Sequence, residues 1–331
     1  MRARKMWTKA RLIIKVDDLD LFVKLACELC SDRDNAEISM GRDDELTQGR
    51  RWVFRGQVNK DWDIKSTIER CPMAGHNAHS SRKSLEQKLV RTFVRDASCH
   101  MSFRGLELFD VLALMRHYGV PTRLVDFSES PFVALYFSME KWLNTDFCVW
   151  AVCIDDLMAY SGAEGEDVID WTWIGKTHSH TSKRADWQKK FLDEFKAKIE
   201  MDPKKGVFYA YPHHGNPRQS AQAGLFLVPN CLNVPFMANL NYALNCERVT
   251  PDSVTLTELY NKDRVFDVIK LSRMIQFVFP KGLREECRSL LRAMNISPKM
   301  LYPGLEGVGK ALGQYVGVLD DGDEILSHEL L

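Results

Sequence analysis

The sequence predicts an α+β fold, with a mixed, mostly antiparallel central sheet flanked by helices. Three observations predict it. Short β-rich runs (RLIIKV, RWVFRGQ, FCVWAVCID, VFYAYP, VFDVIKL, IQFVFP) are spread along the whole chain. Between them lie segments with apolar residues at helical spacing, such as SLEQKLVRTFVRDAS and LREECRSLLRAMNI. The two kinds of element alternate irregularly, without the rhythm of a doubly wound parallel sheet. No repeat or low-complexity linker divides the 331 residues, so residues 1–331 read as one domain with a sizeable core.

Taken in order, RLIIKV is a short strand. DDLDLFVKLACEL follows as a helix, with Asp17 or Asp18 as N-cap and Leu21, Phe22, Leu25 and Leu29 on its apolar face. Residues 31–50 have no periodicity and read as a loop. RWVFRGQ is a strand ending in a glycine turn, and residues 71–82 are loop-like. SLEQKLVRTFVRDAS is a helix with Ser84 as cap. LELFDVLALMRHYG is another, with Gly119 where a terminating glycine belongs. Ser130 caps a helix whose first position is Pro131 and which runs to about Leu143. FCVWAVCID is apolar enough for a central strand. Residues 156–205 form an insertion, with Trp171, Trp173 and a charged helix around DWQKKFLDEFKAKI. VFYAYP, the entry at SAQAGLFLVPN, VFDVIKL and IQFVFP supply the remaining strands. Helices at LREECRSLLRAMNI and about 305–316 make a helical C-terminal part, about 282–316, ahead of an acidic tail.

Composition removes several classes of function. Forty-five basic and forty-five acidic residues balance, so no global charge favours nucleic acid or membranes, and any anion site must be local. MRARKMWTKARLIIKV has no apolar run of signal-peptide length and no segment reaches spanning length, so a cytoplasmic protein without membrane partners is expected. Nine cysteines include one CxxC, Cys27 and Cys30, placed late in a helix rather than opening one. His213 and His214 are adjacent, without the spacing or carboxylate partner of a metal site, so no metal is expected. GLEGVGKA resembles a phosphate loop but ends in Ala311, where Mg²⁺ needs a hydroxyl. Phe132, Tyr136, Phe137 and Trp142 read as core packing.

Three segments interrupt apolar elements with polar residues. In FRGQ, Arg55 ends a strand where a guanidinium can fork onto a phosphate, and Gly56 would let backbone approach the ligand. In RHYGVPTRLVDFSESP, the stiff Val-Pro turn sets His117, Tyr118, Thr122, Arg123, Asp126 and Ser128 ahead of a helix N-terminus. Arg55 and Arg123 on opposite sides of a cleft would suit a diphosphate. In HHGNPRQSAQAGLF, Arg218 and Gln222 lie four apart, and an amide at a strand entry can bond a ribose hydroxyl. Each segment has a plainer reading: a structural ion pair for Arg55, a buried Arg123–Asp126 pair, and a loop-stabilising Gln222.

At these segments the sequence resembles the FRG domain family, through Phe54-Arg55-Gly56-Gln57 with Trp62 beyond it, and through RHYGVPTRLVDFSESPFVALYFS. Arg218 to Phe226 and the FVFP and LYPGLEG pieces extend the likeness over about 12–316. Arg116, Phe127 and Gln219 depart from the family pattern. Arg116 either adds positive charge beside the site or takes an acid partner. The resemblance implies a role in bacterial conflict with phage, as an antiviral defence effector or a toxin. It also implies a three-part pattern similar to ADP-ribosyltransferases, hence an ADP-ribosyltransferase-like core and NAD as substrate. Arg55 would then touch the NAD phosphate, Thr122 or Ser128 would line the nicotinamide pocket, and Gln222 would hold the ribose. His117 or Tyr118 would stack on nicotinamide. Asp126 would supply the negative charge that Gln222 lacks.

Three functions follow as expectations. The first is NAD cleavage or ADP-ribose transfer, with Arg55, Asp126 and Gln222 catalytic and Arg55, Gly56, His117, Tyr118, Thr122, Arg123, Ser128 and Arg218 binding. The second is a non-catalytic module that takes a nucleotide ligand or a protein partner. The third is a nucleic-acid-directed enzyme, opposed by the zero net charge.

Overall fold

The computed structural model describes residues 11–38, 50–72, 82–141 apart from Gly105 and Glu107, 143–160, 205–211, 217–246 and 252–319. Expectations for Trp142, Trp171, Trp173, the helix around DWQKKFLDEFKAKI, His213, His214 and the acidic tail lie outside these residues.

A mixed eight-stranded sheet organises the chain, in the order β5-β6-β3-β2-β4-β8-β1-β7. The strands are β1 (Arg11–Lys15), β2 (Trp52–Gln57), β3 (Val125–Ser128), β4 (Phe147–Cys153), β5 (Val207–Ala210), β6 (Gly224–Pro229), β7 (Asp252–Thr255) and β8 (Met274–Phe279). β1 runs parallel to both β7 and β8, and the other pairings are antiparallel. β4 lies between β2 and β8 and every one of its residues is buried, which is why FCVWAVC shows no alternation. Its Cys148 and Cys153 are both buried, and burial pushes each thiol up to about 12.

Helices cover both faces. α1 (Leu19–Ile38) sets Phe22, Leu25 and Leu29 into one core cluster, and Phe22 meets Phe277 and Phe279 edge-on at 5.4 and 4.8 Å. α5 (Pro131–Phe137) packs into the same cluster with Phe132, Tyr136 and Phe137. A second cluster joins Val53, Phe127 and Trp150 to Phe236 and Leu240 of the helix Phe236–Ala243. A third holds α3 (Arg82–Ala97) and α4 (Leu108–His117) against Leu124, Phe226 and Val228.

Local signals explain the helix ends nearest the charges of the second segment. Gly119, at φ +79°, ends α4, with Val120 N–H donating to Met115 O at 2.9 Å. Asp18 caps α1 by accepting from Leu21 N–H at 3.0 Å, and Ser130 caps α5 by accepting from Val133 N–H at 3.3 Å.

Four expectations need correction. α1 continues to Ile38, through residues read as loop. α3 begins at Arg82, so Ser84 lies inside it rather than at its cap. α5 ends at Phe137, not near Leu143, where the Ser138 hydroxyl donates to Leu135 O at 2.7 Å. VFDVIKL is a helix, Val265–Leu271, although its valines and isoleucine favour strands. The sheet position beside β1 belongs instead to Asp252–Thr255. The expected last helix is present as Leu305–Leu319 and takes in GLEGVGKA from Leu305 on, with Gly304 at φ +83° just before it. A Cβ on its Gly307 would stand 2.1 Å from Tyr302 O, so that glycine permits close helix packing.

Candidate functional site

β2 and β3 pair at a single position, Phe54 with Ser128. Beyond it Arg55 reaches across and its Nη1 donates to the Asp126 carbonyl, with Asp126 Oδ2 4.0 Å away. Arg55 Nε is buried without a hydrogen-bond partner. Asp126 also receives Arg116 from the last turn of α4, through Nε at 3.0 Å and Nη2 at 2.5 Å, both to Oδ2. Arg116 therefore takes an acid partner. The Asp126 side chain is 46% exposed and that of Arg55 16%, so the carboxylate reaches solvent while the guanidinium is sunk behind it.

The electrostatics are lopsided. Burial pulls the Arg55 guanidinium down to about 10, Asp126 opposes this, and Arg70 and Arg116 add to it by repulsion. Two cations, Arg55 and Arg116, thus act on one carboxylate, and Arg70 repels Arg55. Burial alone would raise the Asp126 pKa, but Arg116 and Arg55 outweigh it and hold the carboxyl below its ordinary 3.8. At neutral pH it is ionised.

The other predicted residues are placed differently. Arg123 does not face Arg55 across a cleft. It is buried and paired with fully buried Glu86 of α3, its Nε 3.0 and 2.9 Å from the two carboxylate oxygens and its Nη2 on Oε2. Nor does it pair with Asp126. Gly56 serves helix packing, since a Cβ there would sit 1.9 Å from Ala134 O and 2.5 Å from Ser138 N in and just beyond α5. Thr122 is buried, its carbonyl accepting from Ile68 N–H and the Thr67 hydroxyl, each at 3.1 Å. Ser128 donates to Gln222 O at 2.7 Å and accepts from Ser130 N–H at 3.0 Å. The Gln222 amide donates to Leu301 O at 3.0 Å, and Ala223 beside it is held at φ +43°. Arg218 stacks on Tyr302 at 4.5 Å and reaches Glu306 at 3.3 Å. His117 and Tyr118 are exposed and meet edge-on at 5.0 Å.

Two residues escaped sequence reasoning. Glu86 stands on the buried stripe of α3 with Val90 and Val94, and a carboxylate four and eight positions ahead of two apolar residues is the signal that marks it. Gln57 is buried, donating to Asp63 O at 3.1 Å and accepting from Trp150 Nε1 at 2.9 Å. Its period-two spacing from Arg55 puts both on one side of β2.

Residues 50–146 match the FRG domain. The chain thus carries that domain over a span that includes Arg55, Gly56, Glu86, Arg116, Arg123 and Asp126 and stops short of Arg218 and Gln222. No curated protein and no solved structure matches the chain. Among the described residues no helix is long and apolar enough to cross a membrane, and no group of three or more His, Cys, Asp or Glu side chains is placed to hold a metal ion.

Proposed function

We propose that the Arg55–Arg116–Asp126 cluster seats a phosphorylated nucleotide, that NAD is the substrate, and that the domain cleaves NAD or transfers its ADP-ribose as an effector in a conflict system. The observation that carries this reading is Arg55. Its guanidinium is sunk near two other cations, its Nε has no hydrogen-bond partner, and its nearest carboxylate, Asp126, stands 4.0 Å off and is shared with Arg116, so a further anion would be favoured there. Diphosphate oxygens would supply that anion, held in the forked geometry that arginine favours.

Asp126 gives the site its chemistry. Breaking the bond between the ribose C1′ and nicotinamide sends the bonding pair to the leaving nitrogen and develops an oxocarbenium-like cation. An ionised carboxylate stabilises that cation electrostatically. Water or an acceptor nucleophile then bonds C1′ and gives up a proton. Asp126 is held ionised by Arg116 and Arg55, so it acts as a fixed charge rather than a proton donor. Gln222 carries no charge for this step; one N–H of its amide donates to Leu301 O, which leaves its other amide groups to hold a ribose hydroxyl.

A second reading, a non-catalytic nucleotide-binding module, is favoured by one further observation. Arg123, Ser128 and Gln222 each spend polar atoms on the protein itself. Incubating the full chain with NAD and measuring free nicotinamide separates the two. Release that disappears in Arg55→Ala and Asp126→Asn supports cleavage. Saturable NAD binding without release supports the module. Release unaffected by both substitutions overturns the site.

A further inference from the structure

We propose that Arg70 and Arg82 form a second anion seat beside Arg55, one that takes a phosphomonoester in addition to the diphosphate. Both guanidiniums are anchored on the short helix α2 (Thr67–Arg70). Arg82, the first residue of α3, donates from Nη2 to Glu69 O at 3.5 Å. Arg70, the last residue of α2, donates from Nη2 to Lys65 O at 3.3 Å. α2 is one turn long, about 6 Å, so these anchors keep both guanidiniums close beside it. The helix is in turn tied to the approach to Asp126. Ile68 N–H and the Thr67 hydroxyl both donate to Thr122 O, each at 3.1 Å. Arg70 stands near enough to Arg55 for its charge to push the Arg55 guanidinium down.

The local acids do not balance these cations. Glu69 accepts through Oε2 from the N–H groups of Ser66 and Phe236, at 3.3 and 3.2 Å. Glu86 is paired with Arg123, and Asp126 with Arg116. Among the described residues neither Arg70 nor Arg82 takes part in an ion pair. Arg82 Nε, like Arg55 Nε, is buried without a hydrogen-bond partner. A desolvated N–H with no acceptor is destabilising, and an oxygen of a bound anion removes that penalty. Charge and shape select the anion. A phosphomonoester carries close to two negative charges at neutral pH and offers three oxygens, enough to bridge two guanidinium forks. A carboxylate brings one charge and two oxygens. That the neighbouring seat holds a diphosphate rests on the function proposed above; a second anion at Arg82 does not. The phosphate has two chemical sources, a ribose 2′-phosphate on the dinucleotide or a phosphate on the molecule that accepts ADP-ribose.

Calorimetric titration of the full chain tests the seat, with Arg55→Met as background so that the first seat is removed. Inorganic phosphate should bind this variant once, and adding Arg70→Met or Arg82→Met should weaken it roughly tenfold or more, as when a charged hydrogen-bond donor is lost. Arg70 is exposed, so its substitution should leave the melting curve unchanged and separates lost binding from lost fold. On the wild-type chain, NADP binding roughly tenfold or more tighter than NAD, with the difference erased by Arg82→Met, places the phosphate on the dinucleotide. Equal affinities, with phosphate still binding to the NAD-saturated chain, place it on the acceptor. Phosphate held by Arg82 in a chain that binds no NAD keeps this seat and overturns the function proposed above. No phosphate binding by Arg55→Met, or an affinity that neither Arg70→Met nor Arg82→Met changes, overturns the seat.

Discussion

Replacing Glu86 by Gln keeps the side-chain volume and removes the counter-charge of Arg123. Both partners are buried, Arg123 at 3% and Glu86 at 0% exposure. The carboxylate accepts from Arg123 Nε, from its Nη2 and from its backbone N–H at 3.3 Å. After substitution the desolvated guanidinium keeps the Pro229 carbonyl at 3.5 Å. Breaking a buried pair from one side costs about 3–5 kcal/mol, whereas replacing both partners by apolar residues is about neutral. Glu86→Gln should therefore lower the urea midpoint by about 1–1.7 M, taking a slope of about 3 kcal/mol/M. The double variant Glu86→Leu/Arg123→Met should recover most of that loss. Because no solvent layer screens the pair, raising salt from about 0.05 to about 0.5 M should leave the deficit unchanged. A single-variant midpoint within about 0.3 M of wild type would refute the reasoning. So would a double variant no more stable than the single one.

Two further outcomes rest on neighbouring residues. Gly56→Ala drives a Cβ into the backbone of Ala134 and Ser138 and should destabilise the fold by about 3 kcal/mol, at the upper end for overpacking; an unchanged thermal midpoint would remove Gly56 from the β2–α5 contact. Asp126 has a folded-state pKa below 3.8, so its carboxylate adds stability that is complete above the unfolded value and is lost as pH falls through the folded one. Melting curves of wild type and Asp126→Asn should differ at neutral pH and converge in acid. Parallel curves down to about pH 2 would contradict that sign.

Elements with local signals were legible. β4 announced itself by seven apolar residues, α4 by Gly119, and α5 by Ser130-Pro131. VFDVIKL was not, because its residues satisfy either period over so short a run, and the choice was made by Asp252–Thr255 taking the sheet position beside β1. The candidate site divides in the same way. Arg55 was singled out as a charge ending a strand and Asp126 as a charge on the turn ahead of a helix; that Asp126 lies on a strand was not read, and the two lie together because β2 pairs with that strand, β3. The partner of Arg123 could not be read, since Glu86 stands 37 positions earlier on a separate helix. The glycine of FRGQ was readable as a close approach, but whether to ligand or to α5 depends on a packing that no local pattern encodes.

Calorimetric titration of NAD into the full chain, repeated with Arg55→Met, is the most direct measurement. Saturable binding to wild type, weakened roughly tenfold or more when a charged hydrogen-bond donor is lost, is the expected result, with both proteins melting as folded chains. Absence of binding by NAD, ADP-ribose and inorganic phosphate alike would contradict an anion seat at Arg55, as would an affinity the substitution leaves unchanged.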